Sequence, residues 1–336
     1  MMRLSRMIAV ILLSLSFAPL AVAKIAAQQV AIVINMEDAD SRLIADYYQK
    51  KRGIPAQNII RISLPAGKNS IGEKKFAEIY RQVLEQTPDS VQYYALAWSK
   101  PFRVACMSMT SAFAMGFDKS YCASGCKPTR LSDYYNSDSS LPKDDLNIRP
   151  SMMLAGSSVL QVYAMIDRGV ASDGSNPEAT AYLMNTSDKA RNVRSRRYKV
   201  IEELLSEQIN IEQVDSDVLE NKDDVMFYFT GLKQVKAIDS NRYLPGAIAD
   251  HLTSSGGNLS GRKQMSLLRW IDAGLTASYG TVVEPCAFTQ KFPNPGIVIE
   301  RYTNGESLIE AYWKSVAWPG QGLFVGEPMA SPYAEQ

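Results

Sequence analysis

The stretch that decides the fold is residues 29–64, QVAIVINMEDADSRLIADYYQKKRGIPAQNIIRISL. Its first seven residues form a continuous apolar run, which is typical of a parallel strand that is covered on both faces. Ser41 can cap the helix that follows, and Gly53 can end that helix before a second strand at 58–64. This order predicts a βαβ unit.

The same alternation of strands and helices continues to the end of the chain. We predict helices at 71–86, 159–170, 196–208, 264–273 and 307–316, and strands at 91–98, 181–186, 225–229, 247–249, 275–283 and 323–325. An order of this kind predicts an α/β fold with a mostly parallel, doubly wound sheet and helices on its faces.

The domain organisation follows from this pattern. We expect a single α/β domain over residues 24–336, with a possible subdivision into 24–106, an insertion at 107–150, and 151–336. The insertion is rich in Ser, Asp, Tyr, Gly and Pro, and a stabilised surface flap is a simpler interpretation of it than a binding lid.

The first 23 residues predict a cleaved signal peptide. Arg3 and Arg6 precede a short apolar run, and Ala23 ends an A-x-A cleavage site. The run is too short to span a bilayer, and nothing after it resembles a second span. We therefore expect a periplasmic or secreted protein without stable membrane insertion.

Charge and motifs exclude several functions. The chain has 36 Lys and Arg against 35 Asp and Glu, so its charge does not favour nucleic acid as a partner. A basic cluster at 191–199 is interpreted as a solvated helix face. No G-x-G-x-x-G motif follows the first strand, and the acidic residues near Asp173 match no calcium loop. We expect no cofactor and no metal.

The four cysteines are Cys106, Cys122, Cys126 and Cys286. In an exported protein they favour disulfides over a zinc site, because the chain lacks a C-x-x-C pair and has one histidine. Cys122 and Cys126 suit a local disulfide, whereas Cys106 could reach either Cys122 or Cys286. The sequence leaves these pairings open.

His251 is the sharpest catalytic candidate, because it follows an apolar run beside Asp250. A histidine at a strand end can act as a general base or bind a ligand. We include Asp250 among the catalytic candidates, but adjacent residues of a strand point in opposite directions, so it is not necessarily the orienting partner of His251. A structural histidine bonded to the next turn is the alternative.

Cys286 follows Glu284 and Pro285 at another strand end, where a thiolate could act as a nucleophile. In an exported protein with three other cysteines, a disulfide is the favoured interpretation of Cys286. Glu284 and Glu327 both precede a proline after a strand, and their carboxylates could meet at one site if these two strands are neighbours. We therefore include Glu284 among the catalytic candidates and Glu327 among the binding candidates.

The remaining binding candidates also lie at strand ends, where open α/β sheets bind their ligands. They are Asn35, Thr230, Thr253 and Ser254.

Several blocks of the chain resemble an uncharacterised family of exported bacterial proteins that occurs in species with the exosortase protein-sorting system. The blocks are IADYYQKKRGIPAQNI, RPSMMLAG, VYAMIDRGVASDG, GAIADHLTSSGG, QMSLLRWIDAGLTASYGTVVEPC and AYWKSVAWPGQGLFVGEP. This resemblance implies an envelope location and a link to export or to extracellular polymer. It implies no known reaction.

A more distant resemblance is to the gingipain-type cysteine peptidases, which have a caspase-like fold. In those enzymes a His-Gly and a nucleophilic Cys occupy neighbouring strand ends, whereas Thr230-Gly231 and His251 stand there in this chain. The resemblance therefore implies a degenerate peptidase-like module that binds an envelope protein or a polysaccharide. The alternative is an active cysteine-dependent hydrolase in which Cys286 and His251 do the chemistry.

Overall fold

The computed structural model describes residues 25–123 and 125–335, so the expected signal peptide lies outside the described residues. The strands are β1 Val30–Asn35, β2 Ile59–Ile62, β3 Ser70–Ile71, β4 Tyr93–Leu96, β5 Arg103–Val104, β6 Met107–Ser108, β7 Ser151–Met153, β8 Thr180–Met184, β9 Asn210–Val214, β10 Val225–Thr230, β11 Tyr243–His251, β12 Ala277–Thr281 and β13 Gly322–Gly326. The α-helices are α1 Ala39–Arg52, α2 Glu73–Gln86, α3 Met109–Met115, α4 Pro142–Leu146, α5 Val159–Ser172, α6 Tyr198–Leu205, α7 Leu268–Asp272, α8 Pro295–Thr303 and α9 Leu308–Lys314.

Ten of these strands form one sheet in the order β2-β1-β4-β7-β13-β12-β11-β10-β8-β9. The pairs among β8 to β12 are parallel, as are the pairs among β1, β2, β4 and β7, whereas β13 runs antiparallel to β12. The prediction of an α/β fold with a large, mostly parallel sheet flanked by helices is therefore confirmed.

The predicted βαβ unit at the beginning of the described chain is present, with one difference at the first turn of its helix. All six residues of β1 are buried, and Gly53 ends α1 with a positive φ of 64°, which glycine adopts without strain. The helix begins three residues earlier than a cap at Ser41 would place it, because Asp38 is the cap and accepts a hydrogen bond from Asp40 N. Ser41 is buried, and its hydroxyl accepts from Asn35 N.

The first part of the predicted insertion belongs to the core, which corrects the interpretation of 107–150 as a surface flap. Helix α3 is capped by Ser108, and six of its seven residues, Met109–Ala114, are buried. It packs on β4, β7 and β13. The small and apolar residues of this helix are followed by a long polar loop, and the polar composition of the whole segment therefore predicted a surface flap.

Two groups of helices cover the sheet. Helix α1 packs on α5, and α8 packs on both α6 and α9. None of the helices within the described residues combines the length and hydropathy needed to cross a membrane.

Candidate functional site

The carboxyl ends of β10, β11 and β12 lie side by side and carry polar residues. Thr230 is the register partner of His251, and Thr281 ends the next strand. All three side chains are fully buried. They therefore form a polar layer beneath the surface of this sheet edge.

Both ring nitrogens of His251 form hydrogen bonds within the protein. Trp270 Nε1 donates to His251 Nδ1 at 3.0 Å, and His251 Nε2 lies 3.0 Å from Met265 O. An indole nitrogen can only donate, so Nδ1 accepts and the proton is on Nε2. Burial lowers the pKa of His251 from 6.5 to about 4, and Arg194 adds to the lowering. The expected general base is instead a neutral structural histidine with no free nitrogen for a substrate.

This geometry predicts a pH dependence of stability. The folded pKa of about 4 lies below the unfolded value of 6.5, so only the unfolded chain takes up this proton as the pH falls between those values. As the pH falls from 6.5 to about 4, we expect this histidine alone to lower the free energy of unfolding by about 3 kcal/mol. In a His251→Gln variant, the plot of unfolding free energy against pH should be correspondingly shallower, as urea titrations would measure. Equal slopes in the two proteins would contradict a buried neutral histidine.

Asp250 does not orient His251 but pairs with a buried arginine. Arg194 Nη2 lies 2.5 Å from Asp250 Oδ1 and also donates to Thr230 O at 2.7 Å. Burial is the largest single influence and lowers the pKa of Arg194, but the attraction and hydrogen bond of Asp250 together with Tyr198 and Tyr312 raise it, and the net shift is upward. The expected catalytic role of Asp250 is therefore replaced by a structural one, in which it holds Arg194 in place.

Cys286 is bonded to Cys126, and Cys106 is bonded to Cys122. The disulfide interpretation of Cys286 is therefore confirmed. A disulfide sulfur has no thiolate to attack a substrate, so the rival prediction of Cys286 as a nucleophile is corrected. The local Cys122–Cys126 pair was also wrong, whereas Cys106–Cys122 was one of the two alternatives. The long-range bridge ties the insertion to the loop after β12.

Four of the predicted residues surround one small cavity of about 140 Å³. They are Thr253, Ser254, Glu284 and Cys286, and Arg191 joins them by donating from Nε to Thr253 Oγ1 at 3.1 Å. Binding pockets for organic ligands have volumes of roughly 300–1,000 Å³. This cavity is therefore too small for an organic ligand and has room only for waters or a small ion.

Asn35 has a structural position at the end of β1. Its Oδ1 accepts hydrogen bonds from Glu37 N at 3.2 Å and Leu64 N at 2.9 Å, and its side chain is buried. These bonds hold together the loops that follow β1 and β2. Asn35 does not line the larger cavities described below.

Glu327 lies at the opposite edge of the sheet from Glu284. The strands that precede them, β13 and β12, are neighbours but antiparallel, so their carboxyl ends point in opposite directions. Glu327 accepts hydrogen bonds from Tyr48 Oη at 2.7 Å and Arg52 Nε at 3.0 Å. The expected meeting of the two carboxylates is corrected, and Glu327 instead anchors the end of α1.

The structure shows a larger site that sequence reasoning missed. A cleft of about 610 Å³ lies beyond the carboxyl ends of β8, β10, β11 and β12. Its walls come from the segment before α6, the loop between β12 and α8, the turn before β13 and the insertion. Parts of the chain that are far apart in sequence therefore build one cavity, and no local motif could have indicated it.

The cleft combines cationic and aromatic side chains. Arg194, Arg196 and Arg197 line it, and no Asp or Glu of the described residues does. Phe288 and Trp318 also line it, with their rings edge to face and centroids 5.6 Å apart. The basic cluster that sequence analysis assigned to a solvated helix face therefore borders a cavity.

Two buried donors, one in the lining of this cleft and one behind its Phe288, have no hydrogen-bond partner among the described residues. They are Nε of Arg194, which lines the cleft, and Nζ of Lys291, which lies 5.4 Å from the ring centroid of Phe288. Burial lowers the pKa of Lys291, and the attraction of Glu284 opposes that shift. Unpaired buried donors are costly, so an acceptor group from a ligand would be favourable here.

A second cavity of about 280 Å³ lies beyond the carboxyl ends of β1, β4 and β7. Asp38, Asp40, Lys100 and Ser157 line it. Its charges are mixed, and it is less than half the size of the arginine-lined cleft. No group of three or more His, Cys, Asp or Glu that could hold a metal ion occurs among the described residues.

No family model matches the chain, and no curated protein matches it. A solved structure named "Structure of Protease" is similar over 92% of this chain and 79% of that chain, with 10% sequence identity and a TM-score of 0.42. A TM-score this low does not support an argument about function.

Proposed function

We propose that this chain is a non-catalytic binding module of the cell envelope that holds an anionic ligand in the arginine-lined cleft. The observation that carries the proposal is the cleft itself, in which Arg196 and Arg197 meet Phe288 and Trp318 and no Asp or Glu of the described residues belongs to the lining. Arg194 also lines the cleft, although its charge is paired with the buried Asp250. Guanidinium groups bind carboxylates, sulfates and phosphates through paired hydrogen bonds. An envelope protein with an acidic segment and an acidic polysaccharide both present such groups.

The location of the protein is part of this proposal. Two disulfides among the described residues support an oxidising compartment outside the cytoplasm. A signal peptide, an envelope location and a link to exosortase sorting would agree with them. The caspase-like, degenerate peptidase part of the proposal draws support from a mostly parallel sheet whose polar strand ends hold neither a free thiol nor a free histidine.

The alternative, a cysteine-dependent hydrolase built on Cys286 and His251, has no such support. The sulfur of Cys286 is in a disulfide, and both nitrogens of His251 are bonded within the protein. Neither group can therefore attack a substrate or take its proton in the oxidised, folded chain.

A charge-reversal experiment tests the proposed function. We expect the protein to bind labelled oligogalacturonate or glutamate-rich peptides more tightly than neutral oligosaccharides or peptides of the same length. The Arg196→Glu/Arg197→Glu variant should weaken that binding by about tenfold or more at low salt, and the difference should shrink at high salt. Fluorescence anisotropy at two salt concentrations measures both effects.

The control is Lys75→Glu/Arg81→Glu, which makes the same charge change on the exposed surface of α2, away from the cleft. It should bind as the wild type does. Equal binding of acidic and neutral ligands by the wild type, or equal losses in the two double variants, would refute a specific anion site.

A further inference from the structure

A second groove adjoins the arginine-lined cleft. It lies between α6 and α8, has a volume of about 540 Å³, and shares Arg197 and Asn294 with the cleft. Arg197 and Asn294 therefore border both cavities, so one ligand can contact the cleft and the groove on either side of these two side chains.

The groove is apolar although it is open to solvent. Leu204 is 72% exposed and Val200 is 54% exposed, while Ile201 and Leu205 form its buried floor. Gly296 brings α8 close to this floor, since a Cβ at that position would lie 3.2 Å from Ile201 Cγ1. Aliphatic side chains this exposed gain free energy when a partner covers them.

The charges at the two ends of the groove differ in sign. Arg197 borders the end that joins the cleft, and Glu300 lines the groove as well. On α6 itself, Lys199 is paired with Glu203 at 3.9 Å. A peptide can place its carboxylates at Arg197 and keep them away from Glu300 and Glu203, whereas an anionic lipid surface presents negative charge to all of these groups at once. An acidic sugar chain has no aliphatic side chain to cover Leu204.

We propose that the cleft and the groove together bind an acidic peptide segment of a partner protein. An Asp or Glu side chain of the segment occupies the cleft beside Arg196 and Arg197, and a nearby aliphatic side chain packs on Val200 and Leu204. This inference rests on the proposed function and adds the class of ligand, a peptide that combines acidic and aliphatic residues.

Anisotropy with two labelled peptides tests this inference. One peptide combines Asp and Glu with a central Leu, and the other has Ser in place of that Leu. We expect Leu204→Ser to weaken binding of the Leu peptide by about tenfold and to leave binding of the Ser peptide unchanged. The matched control is Leu160→Ser, which removes an equally exposed leucine from α5 and should change neither.

The outcomes separate the two proposals. If Arg196→Glu/Arg197→Glu abolishes binding while Leu204→Ser has no effect, the anion site stands and the peptide groove is refuted. Tighter binding of oligogalacturonate than of either peptide, or Leu204-dependent binding to phosphatidylglycerol vesicles, would also overturn the peptide assignment. If the arginine variant binds both peptides as the wild type does, both proposals fail.

Discussion

Replacing Arg194 by methionine should lower the free energy of unfolding by about 3–5 kcal/mol. The side chains of Arg194 and Asp250 are only 4% and 0% exposed, and their charged atoms lie 2.5 Å apart. Methionine replaces the aliphatic part of arginine but has no guanidinium group, so the carboxylate of Asp250 would remain buried without a counter-ion. Urea unfolding followed by tryptophan fluorescence measures the loss.

A second variant and a control show whether the charge is the cause. Arg194→Met/Asp250→Asn removes both charges and should recover most of the lost stability. Arg191→Met breaks the nearby pair with Asp188, whose side chains are about a quarter exposed, and should cost no more than about 1 kcal/mol. If the double variant is as unstable as Arg194→Met, the loss arises from packing and not from an unpaired carboxylate.

Removing the Cys126–Cys286 disulfide should destabilise the chain more than removing Cys106–Cys122. The two bridges join residues 160 and 16 positions apart in the sequence. Chain entropy in the unfolded state assigns about 5 kcal/mol to the longer loop and about 3 kcal/mol to the shorter one. The Cys126→Ala/Cys286→Ala variant should therefore be about 2 kcal/mol less stable than Cys106→Ala/Cys122→Ala in urea unfolding.

The same variants address the binding and hydrolase hypotheses. The long-range bridge holds the insertion against the loop that supplies Phe288, so its loss should also weaken ligand binding in the cleft. Thiol alkylation of the native wild type should label no cysteine, since all four are in disulfides. A rapidly alkylated Cys286 would contradict this pairing and would return the hydrolase hypothesis to consideration.

Local sequence signals predicted the elements that build the sheet. The apolar run of β1 and the glycine after α1 act within a few residues, and both behave as expected. Predictions failed where a distant partner decides the outcome. Strand β7 has only three residues, and it forms because β4 on one side and β13 on the other supply its hydrogen bonds.

The candidate site also combines features that local sequence predicts with features that distant residues decide. The positions of His251, Cys286 and Glu284 near strand ends can be predicted from the sequence, because a strand end is a local feature. Local sequence could not assign their roles, since those depend on Trp270, Cys126 and the direction of β13. The arginine cluster was visible in the sequence, but the aromatic walls that turn it into a cleft come from elsewhere in the chain.

Periodicity and turn residues act over short distances, and they are enough to predict an α/β chain with a largely parallel sheet and with cysteines in disulfides. The folded structure is needed to show that the histidine is structural, which cysteines are partners, and that three arginines line a cleft. Hydrogen-bond saturation, disulfide pairing and cavity shape all depend on residues far apart in the chain, which are brought together only when the sheet and its covering helices are complete.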